Sequence, residues 1–179
     1  MSRMGNPGII AAALLAVAAP SSVALAQAPI SALKGHDSNA PIDVASDRIE
    51  VQDRTDRAIF AGNVRVRQAQ LSLDTERLTV AYTSAGGLQI DRLDAAGGVI
   101  VRSPSETARG DFGIYDINRR IITLIGAVRL ERGGSSITGA RLTIDLASGR
   151  AVVDGGAAGI GESGGRVTGR FTVPQRSGS

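Results

Sequence analysis

Gly62-Asn63-Val64-Arg65-Val66 returns as Gly97-Gly98-Val99-Ile100-Val101, and again as Gly126-Ala127-Val128-Arg129-Leu130. The copies stand 35 and 29 residues apart, and a worn fourth begins near Gly155. A second phrase, Arg77-Leu78-Thr79-Val80, returns as Arg141-Leu142-Thr143-Ile144, 64 residues on, which is also the offset between Gly62 and Gly126. Two phrases repeating in one register point to duplicated β units. Within each phrase, branched apolar residues alternate with polar ones, the period of a half-buried strand.

The alternation extends outward from these phrases. Ile49 and Val51 alternate with Arg48, Glu50 and Gln52; Leu71 and Leu73 follow a break in phase at Gln68-Ala69-Gln70. Leu78, Val80 and Tyr82 follow a second break at Thr75-Glu76, and the series runs on through Ile122, Leu124, Leu142, Ile144 and Leu146. Ser84-Ala85-Gly86-Gly87, Ser103-Pro104-Ser105, Gly133-Gly134-Ser135-Ser136 and Ser148-Gly149 mark turns between them. Almost no window carries a capped 3.6-residue apolar stripe, so the chain reads as all-β.

One side of these strands is charged: Arg65, Arg67, Arg92, Arg102, Arg129 and Arg141 alternate with the apolar side chains. A sheet that is wet on one face and aliphatic on the other must fold over itself or pack on a second sheet. The phase breaks fit bulges or bends that let it turn that corner. Gly62, Gly97 and Gly126 suit either a bend with close backbone approach or plain turns.

The ends read differently. Arg3, the apolar run Ile9–Ala19 and the small-x-small site Ala24-Leu25-Ala26 compose a secretory signal, with cleavage after Ala26. The run falls well short of the about 20 apolar residues that cross a bilayer. Residues 27–40 read as a flexible leader, 41–157 as the β domain, and 158–179 as a glycine-rich linker, a last strand at 167–173 and a tail.

There is no cysteine, so an exported domain of this kind must rest on sheet hydrogen bonds and apolar burial, as suits a bacterial envelope protein. Net charge is +3, or +2 once Arg3 is removed, with five aromatic residues in the chain. That argues against nucleic-acid binding, which needs a clustered basic face and stacking platforms. The single histidine, His36, stands apart from the apolar pattern, and the acids sit mostly at strand ends, where aspartate serves turns. Neither an enzyme, a metal site nor a cofactor is expected. Periodicity alone favours a packed core over an apolar trough, and leaves open whether the sheet's edges dock another chain.

Further motifs narrow these choices. Ala45-Ser46-Asp47-Arg48-Ile49-Glu50-Val51, Ala58 to Gln68 and Leu78-Thr79-Val80-Ala81-Tyr82 come first. Gly110-Asp111-Phe112-Gly113-Ile114-Tyr115-Asp116, Ile122 to Leu130 and Ile137 to Leu146 follow in order. From Pro41 to about Asp154 this series resembles the OstA/LptA family of periplasmic lipopolysaccharide-transport proteins. Thr75-Glu76 and Ala127 depart from the residues the family often carries there.

The resemblance implies an open, taco-like β-jellyroll whose interior shields the acyl chains of lipid A. It implies a periplasmic bridge that stacks head to tail by edge-strand pairing, between an inner-membrane transport subunit and an outer-membrane translocon. The expected lipid-facing set is Val64, Val66, Leu78, Val80, Val99, Val101, Phe112, Ile114, Leu124, Val128, Leu130, Leu142 and Ile144. Edge docking falls to Ile42, Val44, Ile49 and Val51 at one end and to Ile144, Leu146 and Val152 at the other. The alternatives are a same-fold partner in that pathway, anchored or in the translocon, and a structural β-repeat protein without a ligand.

Overall fold

The computed structural model describes residues 36–156 and 165–172; the signal segment, the linker at 158–164 and the tail from residue 173 lie outside them. The strands are β1 (Ile42–Ala45), β2 (Arg48–Gln52), β3 (Arg57–Gln68), β4 (Leu71–Thr83), β5 (Gln89–Arg102), β6 (Glu106–Asp116), β7 (Ile121–Arg132), β8 (Ser135–Asp145), β9 (Arg150–Asp154) and β10 (Thr168–Arg170). From β3 to β8 they form one antiparallel meander. β1 and β2 pair with the two halves of β3, and β9 and β10 with the two halves of β8. The sheet therefore does not close, and each end presents two short edge strands.

A line of register shifts crosses every long strand at mid-length. It passes Gly62-Asn63, Thr75-Glu76, Gly97-Gly98, Gly110-Asp111, Gly126-Ala127 and Ala140 in turn. The repeated glycines are thus bulges inside strands, not hairpin turns. Their φ angles are +79° at Gly62, +89° at Gly97 and +80° at Gly126, a region in which a Cβ is strained. Bulges bend a strand and sharpen its twist, and aligned across the sheet they make a crease.

The crease separates two layers. The first holds β1, β10 and the halves 64–68, 71–75, 99–102, 106–110, 128–132 and 135–139; the second holds β2, β9 and the remaining halves. Their apolar faces meet. Leu78, Leu124 and Leu142 are fully buried between them, with Val64, Val99, Val128 and Ile144 almost as enclosed. Burial of each such side chain contributes about 1.5–3 kcal/mol, and no disulfide is needed to hold the layers together. This is the open, two-layered all-β architecture that the sequence implied.

Strand phase corrects part of the expected interior. On odd-numbered strands the crease inserts two residues, so Phe60 and Val64, or Ala95 and Val99, stay on one face. On β4, β6 and β8 it flips the phase. Ala108 and Gly110 point inward, and beyond Asp111 the inward residues are Gly113 and Tyr115. Phe112 is 55% exposed and Ile114 is only half-buried, so neither belongs to the buried core as expected.

Candidate functional site: an apolar cleft between open edges

Between β3 and β7 the interior is filled. Among the described residues, a space between the layers around Val66, Leu73, Leu93, Val101 and Leu124 measures about 20 Å³, room for about one water and far too little for an acyl chain. Towards β9 and β10 the layers part. There a cleft of about 550 Å³ opens between Leu130 and Ile137 of the first layer and Ala151 and Val153 of the second. Val167 and Phe171, flanking β10, complete its wall, and Glu106, Arg132 and Ser135 stand at its rim. The volume falls within the range of ligand pockets, about 300–1,000 Å³.

The cleft is built by the last two described strands. Ala151 and Val153 face inward because they pair with Ile144 and Leu142, whose side chains are buried. β10 is a three-residue strand beside Ser136–Thr138. It is tied there by Thr172 Oγ1–H donating to Gly134 O (3.0 Å) and Thr172 N–H donating to Ser135 Oγ (3.1 Å). That seating leaves Phe171 68% exposed at the mouth. A polar groove of about 720 Å³ adjoins the same hairpin, lined by Thr107, Arg129, Glu131, Thr138 and Arg170 among others. Glu131 accepts hydrogen bonds there from Arg129 Nε (2.7 Å) and Arg109 (2.6 Å). These two guanidinium groups, Arg129 first, hold its carboxyl below the usual carboxylate range.

The opposite end also shows apolar side chains to solvent. Ile49 and Val51 pair with Phe60 and Ala58, so they share the inward face of the second layer, yet they are 55% and 57% exposed. Ile42 and Val44 on β1 are half-buried against the core. At the far edge, β9 covers the second-layer half of β8. Ile144 and Leu146 are consequently buried rather than at the edge where docking was expected, and Val152 lies on the outer-face parity of β9.

Of the expected lining, Val64, Val66, Leu78, Val80, Val99, Val101, Leu124, Val128, Leu142 and Ile144 come together in the core, and Leu130 reaches the cleft. Sequence reasoning did not select Ile137, Ala151, Val153, Val167 or Phe171 for the lining. The signal that was available lay in the alternation of Val167, Gly169 and Phe171, whose apolar positions share one face. Among the described residues, no group of three His, Asp or Glu side chains could hold a metal ion, and no helix is long and apolar enough to cross a membrane.

Comparison with known proteins places this architecture. A solved structure, that of LptH, the LptA-homologous periplasmic component of the lipopolysaccharide transport device of Pseudomonas aeruginosa, superposes with a TM-score of 0.67 at 18% identity. The match covers 77% of this chain and 99% of that one, and it speaks for the fold. A relative from Rhizobium meliloti (strain 1021), the uncharacterized protein R00383, is 33% identical over 154 residues, covering 81% of this chain and 83% of its own. Residues 43–150, more than half of the chain, match the family model described as LptA/(LptD N-terminal domain) LPS transport protein. The chain belongs to the LptA/LptD N-terminal-domain family of lipopolysaccharide-transport proteins.

Proposed function

We propose that this protein is a periplasmic carrier that shelters the acyl chains of lipopolysaccharide on their way between the two membranes, without chemistry of its own. The observation that carries the reading is the 550 Å³ apolar cleft opening at the free edge of an unclosed sheet of this family. An acyl chain in water forfeits about 0.8 kcal/mol for every CH₂ it could have buried, so a transported lipid needs a continuous dry surface. The cleft supplies such a surface at one end, and Ile49 and Val51 extend it at the other.

Continuity between copies follows from the edges. β9 and β10 at one end and β1 and β2 at the other present unpaired backbone groups, which invite strand addition. In this reading they stack the chain head to tail and join it to the inner-membrane transport subunit and the outer-membrane translocon. Lipid A contacts the inward residues, beginning with Leu130, Ile137 and Val153. The signal segment delivers the chain to the periplasm, with cleavage after Ala26.

A second reading has one specific observation behind it. The interior from β3 to β7 is filled by the chain's own side chains, as in a structural β-repeat protein that binds no lipid. Purification of the exported protein from envelope extracts separates the two. Lipopolysaccharide that co-purifies, and is lost when Ile137 and Val153 are changed to Asp, supports transport. Protein free of lipopolysaccharide in both forms supports the structural reading.

A further inference from the structure

Gln68 ends β3 in the first layer with its side chain almost fully buried, and its amide makes every hydrogen bond it can make. Nε2 donates to the carbonyls of Ser38 (3.0 Å) and Ala40 (3.0 Å). Oε1 accepts from the Tyr115 hydroxyl of the second layer (3.1 Å) and faces His36 Nε2 at 3.0 Å. Because the amide nitrogen is committed to two carbonyls, Oε1 is an acceptor, and the imidazole must be the donor. One side chain therefore ties together both layers and the segment before β1.

Its position gives the arrangement a consequence. Gln68 and Tyr115 line the 20 Å³ space together with Ile42, Leu73 and Leu93, so the four bonds lie over the part of the interior that is filled. The two ends of the interior thus differ in room, about 20 Å³ beneath the four bonds against about 550 Å³ at the cleft.

We propose that residues 36–40, Gln68 and Tyr115 form a clasp that holds the layers together at the β1 end, and that its release lets an acyl chain advance from the open cleft towards β3. This rests on the lipid-carrier reading above. A chain crossing the molecule needs space that the closed form lacks, and side chains packed this densely yield space only when the layers move apart. The clasp is polar and buried, so each bond lost leaves a desolvated partner behind, which makes opening cooperative. Pairing of another copy's edge with β1 would act on the segment that carries His36, Ser38 and Ala40, linking docking to opening.

The test uses the full chain with a photoreactive benzoylphenylalanine at Ile42 or at Ile137, exposed to purified lipid A. Closed protein should label from Ile137 and hardly from Ile42. Gln68→Leu, which keeps the volume and removes all four bonds, should raise the Ile42 yield by at least about fivefold, the shift expected from losing one net hydrogen bond. His36→Ala, which removes one bond at a part-buried site, should raise it less. Amide hydrogen exchange without lipid should quicken in both variants at 64–73 and 112–116 while β7 and β8 are unchanged, which also shows that the variants fold. Equal labelling from Ile42 and Ile137 in the unmodified chain overturns the clasp and leaves the carrier reading standing. Ile137 labelling with no gain at Ile42 in either variant overturns it as well. Absence of labelling from Ile137 in every form overturns the carrier reading, and the clasp with it.

Discussion

The Asp111 carboxylate occupies the place that a β-carbon on Gly126 would need, across the β6–β7 pair at the crease. Asp47 stands in the same way against Gly62, and Glu76 against Gly97. In the fourth copy Gly156, at φ +74°, faces Ala140, so the acid is lost while the glycine is kept. Gly126→Ala would meet both a left-handed backbone and an occupied space, and should cost at least about 2 kcal/mol. Gly86, at φ +91° with nothing within 4 Å, isolates the backbone part, and Gly86→Ala should cost about 1 kcal/mol. Urea denaturation of the two variants measures the difference; equal losses would mean that crease packing contributes nothing.

Ala127 sits at φ +39°, where the first copy has Asn63 at +47° and the second Gly98 at +77°. Asparagine tolerates this region better than alanine does. Ala127→Asn should therefore stabilise the fold by about 0.5–1 kcal/mol, read as a higher denaturation midpoint with an unchanged slope.

The corrected phase of β6 gives a sharp contrast. Leu124, fully buried, and Phe112, 55% exposed, lie on opposite faces of neighbouring strands. Leu124→Ala should cost about 2–5 kcal/mol, and Phe112→Ser less than about 1 kcal/mol. The reverse order would restore Phe112 to the interior.

Burial pushes the Tyr115 hydroxyl above its ordinary value, against weaker pulls from Ser38 and Arg120. Folded protein then keeps this proton at a pH where the unfolded chain, near pH 10, has begun to lose it. Stability from this group is complete below about pH 10 and is lost as pH rises through the folded value. Tyr82 shifts in the same direction, so Tyr115→Phe should lessen the alkaline fall in stability without abolishing it. Equilibrium denaturation between neutral pH and about pH 11 reads this.

Legibility of the fold in the sequence followed from what each strand shows at the crease. On β4 the break was visible because Leu71 and Leu73 on one side and Leu78 and Val80 on the other differ in phase across Thr75-Glu76. On β6 it was hidden. The inward residues near the crease are Ala108, Gly110 and Gly113, which carry little hydrophobic signal, while outward Phe112 and Ile114 imitate a lining. Similarly, Ile144 and Leu146 looked like edge residues because nothing local reveals that β9 folds back over the second-layer half of β8. The cleft was the least legible part. It depends on where Val167 and Phe171 lie across from Val153, a separation in space that no periodicity encodes. Gln68 was read only as part of a phase break, since a side chain whose four partners come from two segments distant in sequence has no local signature.

Site-resolved photocrosslinking in living cells tests the central claim most directly. Benzoylphenylalanine at Ile137 or Val153 places the probe in the cleft, and at Phe112 on the solvated face. The lipid-carrier account predicts lipopolysaccharide adducts from Ile137 and Val153 and none from Phe112. No adduct from either cleft position, or equal adducts from Phe112, would contradict it.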